Sequence, residues 1–141
     1  MHRVTLFRHR SRGAQIVLGG AIPAALGVVA GILVGHSATA YWVFGAVVAL
    51  GGFVSGLEHL DGWGGADRGL VAGFIYGVAL LVTHAITGAE AKVSLGSFPP
   101  LLAVVTAIIG MCISAGGGRL ARFLREREGE PQVEQQVTAA D

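Results

Sequence analysis

Four long stretches without a charged side chain constrain this sequence more than any other feature. They cover residues 13–35, 37–57, 69–89 and 93–118, where His36 separates the first two and His84 alone interrupts the third. A helix needs about 20 apolar residues to cross the ~30 Å hydrocarbon core of a bilayer. Each stretch is long enough, and its apolar residues are continuous instead of alternating, which favours membrane-spanning helices over a β-barrel.

We therefore predict an all-α fold, a bundle of four transmembrane helices. A basic segment is expected at 1–12, and the transmembrane domain at 13–118. The predicted helices cover about 14–35, 39–57, 68–87 and 98–117. A short amphipathic extension of the last helix is expected at 119–128, because three apolar side chains there share one face and arginines the other. Residues 129–141 are polar and nonperiodic, which predicts a disordered tail.

The composition agrees with a membrane protein. Of 141 residues, 52% are hydrophobic and 13% are charged, whereas soluble domains carry about 25% charged residues. A soluble domain this small could not bury so much apolar surface, which excludes a soluble globular enzyme. The net charge of +1 gives no electrostatic footprint for nucleic acid, so we expect no nucleic-acid partner. No catalytic motif is present, and we assign no catalytic residue, metal or cofactor.

Basic residues predict the orientation. Nine arginines fall on one side of an even number of spans, in the N-terminal segment, at Arg68 and after the last span, whereas Lys92 alone falls on the other side. The positive-inside rule then places both termini in the cytoplasm of a multi-pass protein of the cell membrane. A signal peptide cleaved after residues 38–40 is the alternative, but the first apolar run is longer than the usual 7–15 residue core.

Small residues recur at four-residue spacing on every predicted helix. Such stripes let helix backbones approach closely in a membrane. The predicted packing positions are Gly27, Gly31, Gly35, Gly52, Gly56, Gly69, Gly73, Gly77, Gly110 and Ser114. The stripes either pack the four helices within one chain or join one chain to another. Ser114 is also expected to bond the backbone of its own helix.

A weak tandem repeat favours two helical hairpins of the same orientation. The pair Arg12-Gly13 returns as Arg68-Gly69, and the three residues at 46–48 return at 103–105. Chance matches are also common in a chain so rich in Gly, Ala and Val.

Ionisable residues gather at one loop and one span. Glu58, His59, Asp61 and Asp67 lie in the loop between the second and third spans and could bind a cation or relay protons. The alternative is a polar turn in which Asp67 caps the third helix. His84 lies within a predicted span, where ionisable residues are functional candidates, or it is an interfacial histidine near the span's end.

Arginines after the fourth span are predicted to contact lipid headgroups. Arg119, Arg122 and Arg125 recur every three residues directly beyond the last apolar stretch. Basic residues at this position are attracted to anionic lipids.

One part of the chain resembles a known group of proteins. The residues at 51–58 read GGFVSGLE, a Gly/Asp-rich turn follows, and Arg68-Gly69 and Val71-Ala72-Gly73 open the next helix. This pattern, over about residues 45–77, resembles small four-span haloarchaeal membrane proteins of uncharacterised function. The resemblance implies a multi-pass membrane protein with a helical hairpin, and no activity or site residues.

Three classes of function remain open from the sequence. The first is a non-enzymatic structural or accessory membrane subunit that associates with itself or with a membrane-protein partner in the lipid bilayer. The second is a homo-oligomeric channel or transporter for an ion or small solute. The third is a membrane-permeabilising or virion membrane protein.

Overall fold

The computed structural model describes residues 16–57 and 62–138, and it contains four long helices in these ranges. A π-helical turn at Val17–Ala21 leads into α1, and no strand occurs in the described residues. The helices are α1 (Ile22–His36), α2 (Ala38–Gly56), α3 (Gly62–Thr87) and α4 (Leu101–Thr138). Four helical stretches are long and apolar enough to cross a membrane, and the first of them, Gly19–His36, combines part of the π-helical turn with α1. The prediction of an all-α protein with four membrane-spanning helices is confirmed.

The π-helical turn immediately precedes Pro23. The Ile22 N–H donates to the Val17 carbonyl, five residues back, where an α-helix would bond four residues back. Pro23 has no N–H to offer the Gly19 carbonyl, so the regular hydrogen-bond ladder is interrupted at this point. The interruption therefore lies at the start of α1, and Gly27 to His36 continue as a regular helix.

Ser37 alone connects α1 to α2. Its backbone is extended, with φ −158° and ψ 122°. The Ser37 N–H donates to the Leu33 carbonyl at 2.9 Å and ends α1, while its Oγ accepts from the Ala40 N–H at 3.3 Å and caps α2. One residue therefore reverses the chain between two spans.

Helices α3 and α4 are antiparallel and form the most closely packed pair. Gly69, near the start of α3, lies against Gly110, and Gly77, further along α3, lies against Ala103, near the start of α4. Gly62 lies against Arg119, so the first turn of α3 and the arginines of α4 share one end of the bundle, which we call the arginine end.

Helix α1 runs parallel to α3, and α2 runs parallel to α4. Gly27 lies against Tyr76 and Gly35 against Ala89, so both chain segments advance in the same direction. The same holds for α2 on α4, where Phe53 contacts Gly117. This alternation is that of two consecutive hairpins, but the hairpins differ, because α3 and α4 contact each other far more extensively than α1 and α2 do.

The fully buried core lies toward the end opposite the arginine end. It consists of Ala30 and Val34 of α1 and Leu80 of α3. Tyr41 of α2 and Leu102 of α4 are among the partly buried residues that pack against it. In the segment between α3 and α4, the Lys92 N–H donates to the Val34 carbonyl at 2.8 Å, which covers the last turn of α1.

Helix α2 buries the least of its own surface. Within its span only Gly56 is buried, whereas Val43, Val47, Leu50 and Val54 are 60–68% exposed. Water would oppose such a row of exposed aliphatic side chains, but lipid does not. The outward face of α2 is therefore suited to hydrocarbon.

The predicted start of the third helix is wrong. α3 begins at Gly62, not at about 68, so residues 62–67 are helical instead of part of a loop. Glycine is a poor helix former on its own. Here Gly65 and Ala66 are buried in the bundle, and this packing compensates for the low propensity.

The predicted helical extension of the fourth helix is confirmed. α4 runs without a break from the span through residues 119–128 and on to Thr138. The disordered tail expected at 129–141 stays a prediction. Residues 139–141 lie outside the described residues.

Candidate functional site

Ser114 is the point where three helices meet. It is 5% exposed, and its Oγ donates to the Gly52 carbonyl of α2 at 3.2 Å. The expectation that Ser114 bonds its own helix is therefore wrong. Thr106, about two turns earlier on α4, does bond its own helix, with its Oγ1 3.0 Å from the Leu102 carbonyl oxygen.

Three glycines make the approach to Ser114 possible. A Cβ added at Gly65 would lie 2.5 Å from the Ser114 carbonyl oxygen, and one added at Gly69 would lie 2.8 Å from the Ser114 Cβ. On α2, a Cβ added at Gly56 would lie 3.1 Å from the Ser114 Cα. Real Cβ atoms rarely approach other atoms so closely, so each of these positions favours glycine. Together with Gly52 and Ser114 they form what we call the Ser114 junction.

The glycines of α3 continue along α4 beyond this junction. Gly73 lies against the Thr106 carbonyl, and a Cβ added there would lie 3.0 Å from the Ala107 Cα. At Gly77 an added Cβ would lie 2.7 Å from the Ala103 Cα. On the α4 side, Gly110 lies against the Gly69 carbonyl of α3. The α3–α4 interface is thus a contact of backbone on backbone.

The glycines of α1 face α3 and the segment after it. A Cβ added at Gly27 would lie 2.8 Å from the Ala79 Cβ, and one at Gly31 would lie 2.5 Å from the Leu80 carbonyl oxygen. At Gly35 the nearest atom is the Ala89 Cβ, at 2.6 Å. All three positions lie inside the chain's own bundle.

Sequence reasoning missed two members of this contact set. Gly65 continues the α3 stripe one turn earlier, but its glycine-rich surroundings resemble a loop. Gly117 lies against the Phe53 carbonyl of α2. The spacing of small residues could have indicated both as packing positions, since Gly65 precedes Gly69 by four residues and Gly117 follows Ser114 by three. Gly52 makes only an ordinary contact, since a Cβ added there would lie 3.7 Å from the Ile113 Cγ2.

The proposed ion or proton site is not assembled by the described residues. Glu58, His59 and Asp61 lie outside them. Asp67 is exposed and lies in the second turn of α3, so it does not cap the N-terminus of that helix. His84 lies 17 residues further along α3, about 25 Å away at 1.5 Å per residue. Asp67 and His84 therefore cannot share one ion.

His84 retains one feature of interest. Its ring is half-buried, and its Nδ1 is buried with no hydrogen-bond partner among the described residues. The backbone carbonyl of His84 does have a hydrogen-bond partner, since it accepts from the Thr87 Oγ1 at 2.8 Å. Across the described part of the chain, no three His, Cys, Asp or Glu residues lie close enough to hold a metal ion.

Arginines and apolar residues alternate along α4 from Arg119 to Arg127, which we call the basic stretch. The Arg122 Nε donates to the Glu126 carboxylate at 2.7 Å, and the Arg125 Nε donates to the Ala121 carbonyl at 3.2 Å. Arg119 is exposed, and its stem packs beside Gly62 of α3. The Nε atoms of Arg122 and Arg125 are therefore bonded within their own helix, one turn away.

Comparison with known proteins adds no family. No family model, curated protein or solved structure matches the chain. The resemblance to small four-span haloarchaeal membrane proteins stays a prediction, and the functional argument depends on the geometry of the bundle.

Proposed function

We propose that the chain is a non-enzymatic structural or accessory subunit of the membrane, which associates with copies of itself or with another membrane protein. The observation that carries this proposal is the Ser114 junction. A buried hydroxyl in a membrane bundle can line a path for solutes. The Ser114 hydroxyl instead donates to the backbone of a neighbouring helix, and glycines enclose it. The distinctive residues of the chain thus serve helix packing.

The outward surface is available for association. Apolar residues of α2 are exposed along the whole helix, and Trp42 near its start is 67% exposed. In lipid, such a surface is equally suited to acyl chains and to another apolar helix, because hydrocarbon gives no preference between them. Because α1 and α3 use their glycine stripes inside the bundle, contact with a partner is expected through the outward faces.

Native mass spectrometry of the complex extracted gently from its own membrane tests this proposal. A complex of fixed stoichiometry that contains this chain and a different chain supports the accessory role. A complex of identical chains supports self-association and calls for flux assays. A chain that is monomeric at every protein concentration, in more than one mild detergent, contradicts the proposal.

A channel or transporter is the second candidate, and His84 favours it. An unpaired ring nitrogen buried in a membrane-spanning helix is costly unless it meets a proton, an ion or a partner group. In liposomes, His84→Ala should abolish proton or ion flux under this hypothesis, whereas Asp67→Asn at the exposed opposite end of α3 serves as the control. Equal flux in both variants and the unmodified protein would exclude His84 from any path.

The proposed location is the cell membrane with both termini in the cytoplasm. Arg68 and the basic stretch lie at the arginine end, and Lys92 lies at the other end beside the last turn of α1. Basic residues are enriched on the cytoplasmic side of membrane proteins. The arginine end is therefore assigned to the cytoplasm.

A further inference from the structure

We propose that the basic stretch of α4 is a docking surface for the headgroups of anionic phospholipids. This role goes beyond the proposed subunit function, because it assigns a ligand class to a defined surface of the chain. The surface consists of Arg119, Arg122, Arg125 and Arg127 with three exposed apolar residues between them, Leu120, Phe123 and Leu124.

The position of the basic stretch along α4 indicates that its ligand is a lipid. Residues 93–118 carry no charge, and Arg119 follows directly in the same continuous helix. At 1.5 Å per residue the stretch from Arg119 to Arg127 rises roughly 12 Å. The headgroup layer beyond the hydrocarbon core is roughly 5–8 Å thick on each side. The stretch therefore begins where phosphates lie, with no other molecule needed to bring it there.

The charge of the basic stretch is complementary to phosphate. Within the stretch, four arginines accompany a single carboxylate, Glu126, which is bonded to Arg122. A guanidinium binds phosphate oxygens with two parallel N–H donors, and arginine is therefore preferred over lysine for this contact. Arg119 lies beside the first turn of α3, so the charge begins next to the bundle instead of far out on the helix.

The apolar residues of the stretch fit the boundary between headgroups and acyl chains. Leu120 is 39% exposed, Phe123 48% and Leu124 49%. The Arg127 guanidinium lies 4.3 Å from the centroid of the Phe123 ring, a cation–π contact that places charge and ring together. Side chains of both kinds on one helix are typical of segments that bind the membrane interface.

Lipid binding to the full-length chain in a neutral detergent tests the inference. Native mass spectrometry would compare bound phosphatidylglycerol with bound phosphatidylcholine, each added at the same concentration. We expect a preference for phosphatidylglycerol that weakens at high salt. The triple variant Arg119→Gln, Arg122→Gln, Arg125→Gln should bind phosphatidylglycerol at least about tenfold more weakly.

Two control proteins keep the test specific. The triple Arg→Lys variant at the same positions retains the charge but loses the paired N–H donors, so it should bind phosphatidylglycerol more tightly than the triple Gln variant and less tightly than the unmodified chain. Lys92→Gln, at the opposite end of the bundle, should leave it unchanged. Circular dichroism and gel filtration check that each variant is folded and monodisperse.

Two results would overturn the inference. The first is equal binding of both lipids by the unmodified chain, a result that does not depend on whether any variant folds. The second is unchanged phosphatidylglycerol binding by a folded triple Gln variant. Either result would leave the proposed subunit function standing if the complex with other chains is intact. A protein partner that is lost from the triple Gln variant, with no lipid preference in the unmodified chain, would assign the surface to that partner instead.

Discussion

The hydroxyl of Ser114 on α4 donates to the backbone carbonyl of Gly52 on α2, at 3.2 Å. The two residues are 62 positions apart in the chain. Their bond joins the second and fourth helices at the level where α3 also reaches Ser114 through Gly65 and Gly69. One small polar side chain thus connects three helices, and its size is as important as its hydrogen bond.

Substitutions of Ser114 separate these two contributions. Ser114→Ala removes the hydrogen bond alone and should lower the free energy of unfolding by about 0.6 kcal/mol, the average for bonds between helices in a membrane. Ser114→Val adds volume where glycines of α2 and α3 lie close, and should cost a further 1–3 kcal/mol, roughly the usual cost of overpacking. Unfolding in SDS, followed by tryptophan fluorescence, measures both. Cys112→Val, on the exposed side of the same helix, is the control and should be near neutral.

A leucine at Gly31 should separate α1 from α3. An added Cβ there would lie 2.5 Å from the Leu80 carbonyl oxygen and 2.8 Å from the Thr83 Cβ, neither of which is the flexible end of a side chain. We expect a loss of 1–3 kcal/mol or more in the free energy of unfolding, roughly the cost of inserting volume into a packed interior. The same substitution at Gly20, where no atom lies within 4 Å of an added Cβ, is the matched control. Equal stabilities would show that α1 does not pack on α3 through Gly31.

Labelling with a membrane-impermeant thiol reagent tests the orientation. In a background of Cys112→Ser, Glu126→Cys should be labelled only after the cells are opened, because the arginine end is assigned to the cytoplasm. Lys92→Cys should be labelled in intact cells. The opposite pattern would reverse the assigned orientation, and labelling of both positions in intact cells would mean that these two segments lie on the same side.

Much of the fold is predictable from the sequence because charged residues, and His36, mark the limits of the apolar stretches. The first helix is predicted to end at about 35 and ends at His36, and the predicted end of the third helix, at about 87, coincides with the end of α3 at Thr87. The start of α3 cannot be read in the same way, since Gly62 to Gly65 resemble a loop unless the partner helix that stabilises them is known.

Which helices contact each other is harder to predict from the sequence. Four-residue spacing predicts that Gly69 and Gly73 are packing positions, but it does not predict that they face α4 while Gly27 and Gly31 face α3. Spacing also groups Asp67 with the loop residues before it, whereas the early start of α3 places Asp67 on a helix surface. Which face meets which neighbour is decided by the packing of the whole bundle.

The central claim is that the glycines of α3 hold the bundle together within one chain, and one pair of variants tests it most directly. Gly73→Leu places a side chain against the Thr106 carbonyl and the Ala107 Cα, while Gly51→Leu, on α2, meets no atom within 4 Å of its Cβ. We predict that Gly73→Leu lowers the SDS fraction at half-unfolding strongly, at every protein concentration, and that Gly51→Leu leaves it near that of the unmodified chain. Equal midpoints for the two variants, or a loss at Gly73 that vanishes when the protein is diluted to monomers, would contradict the claim.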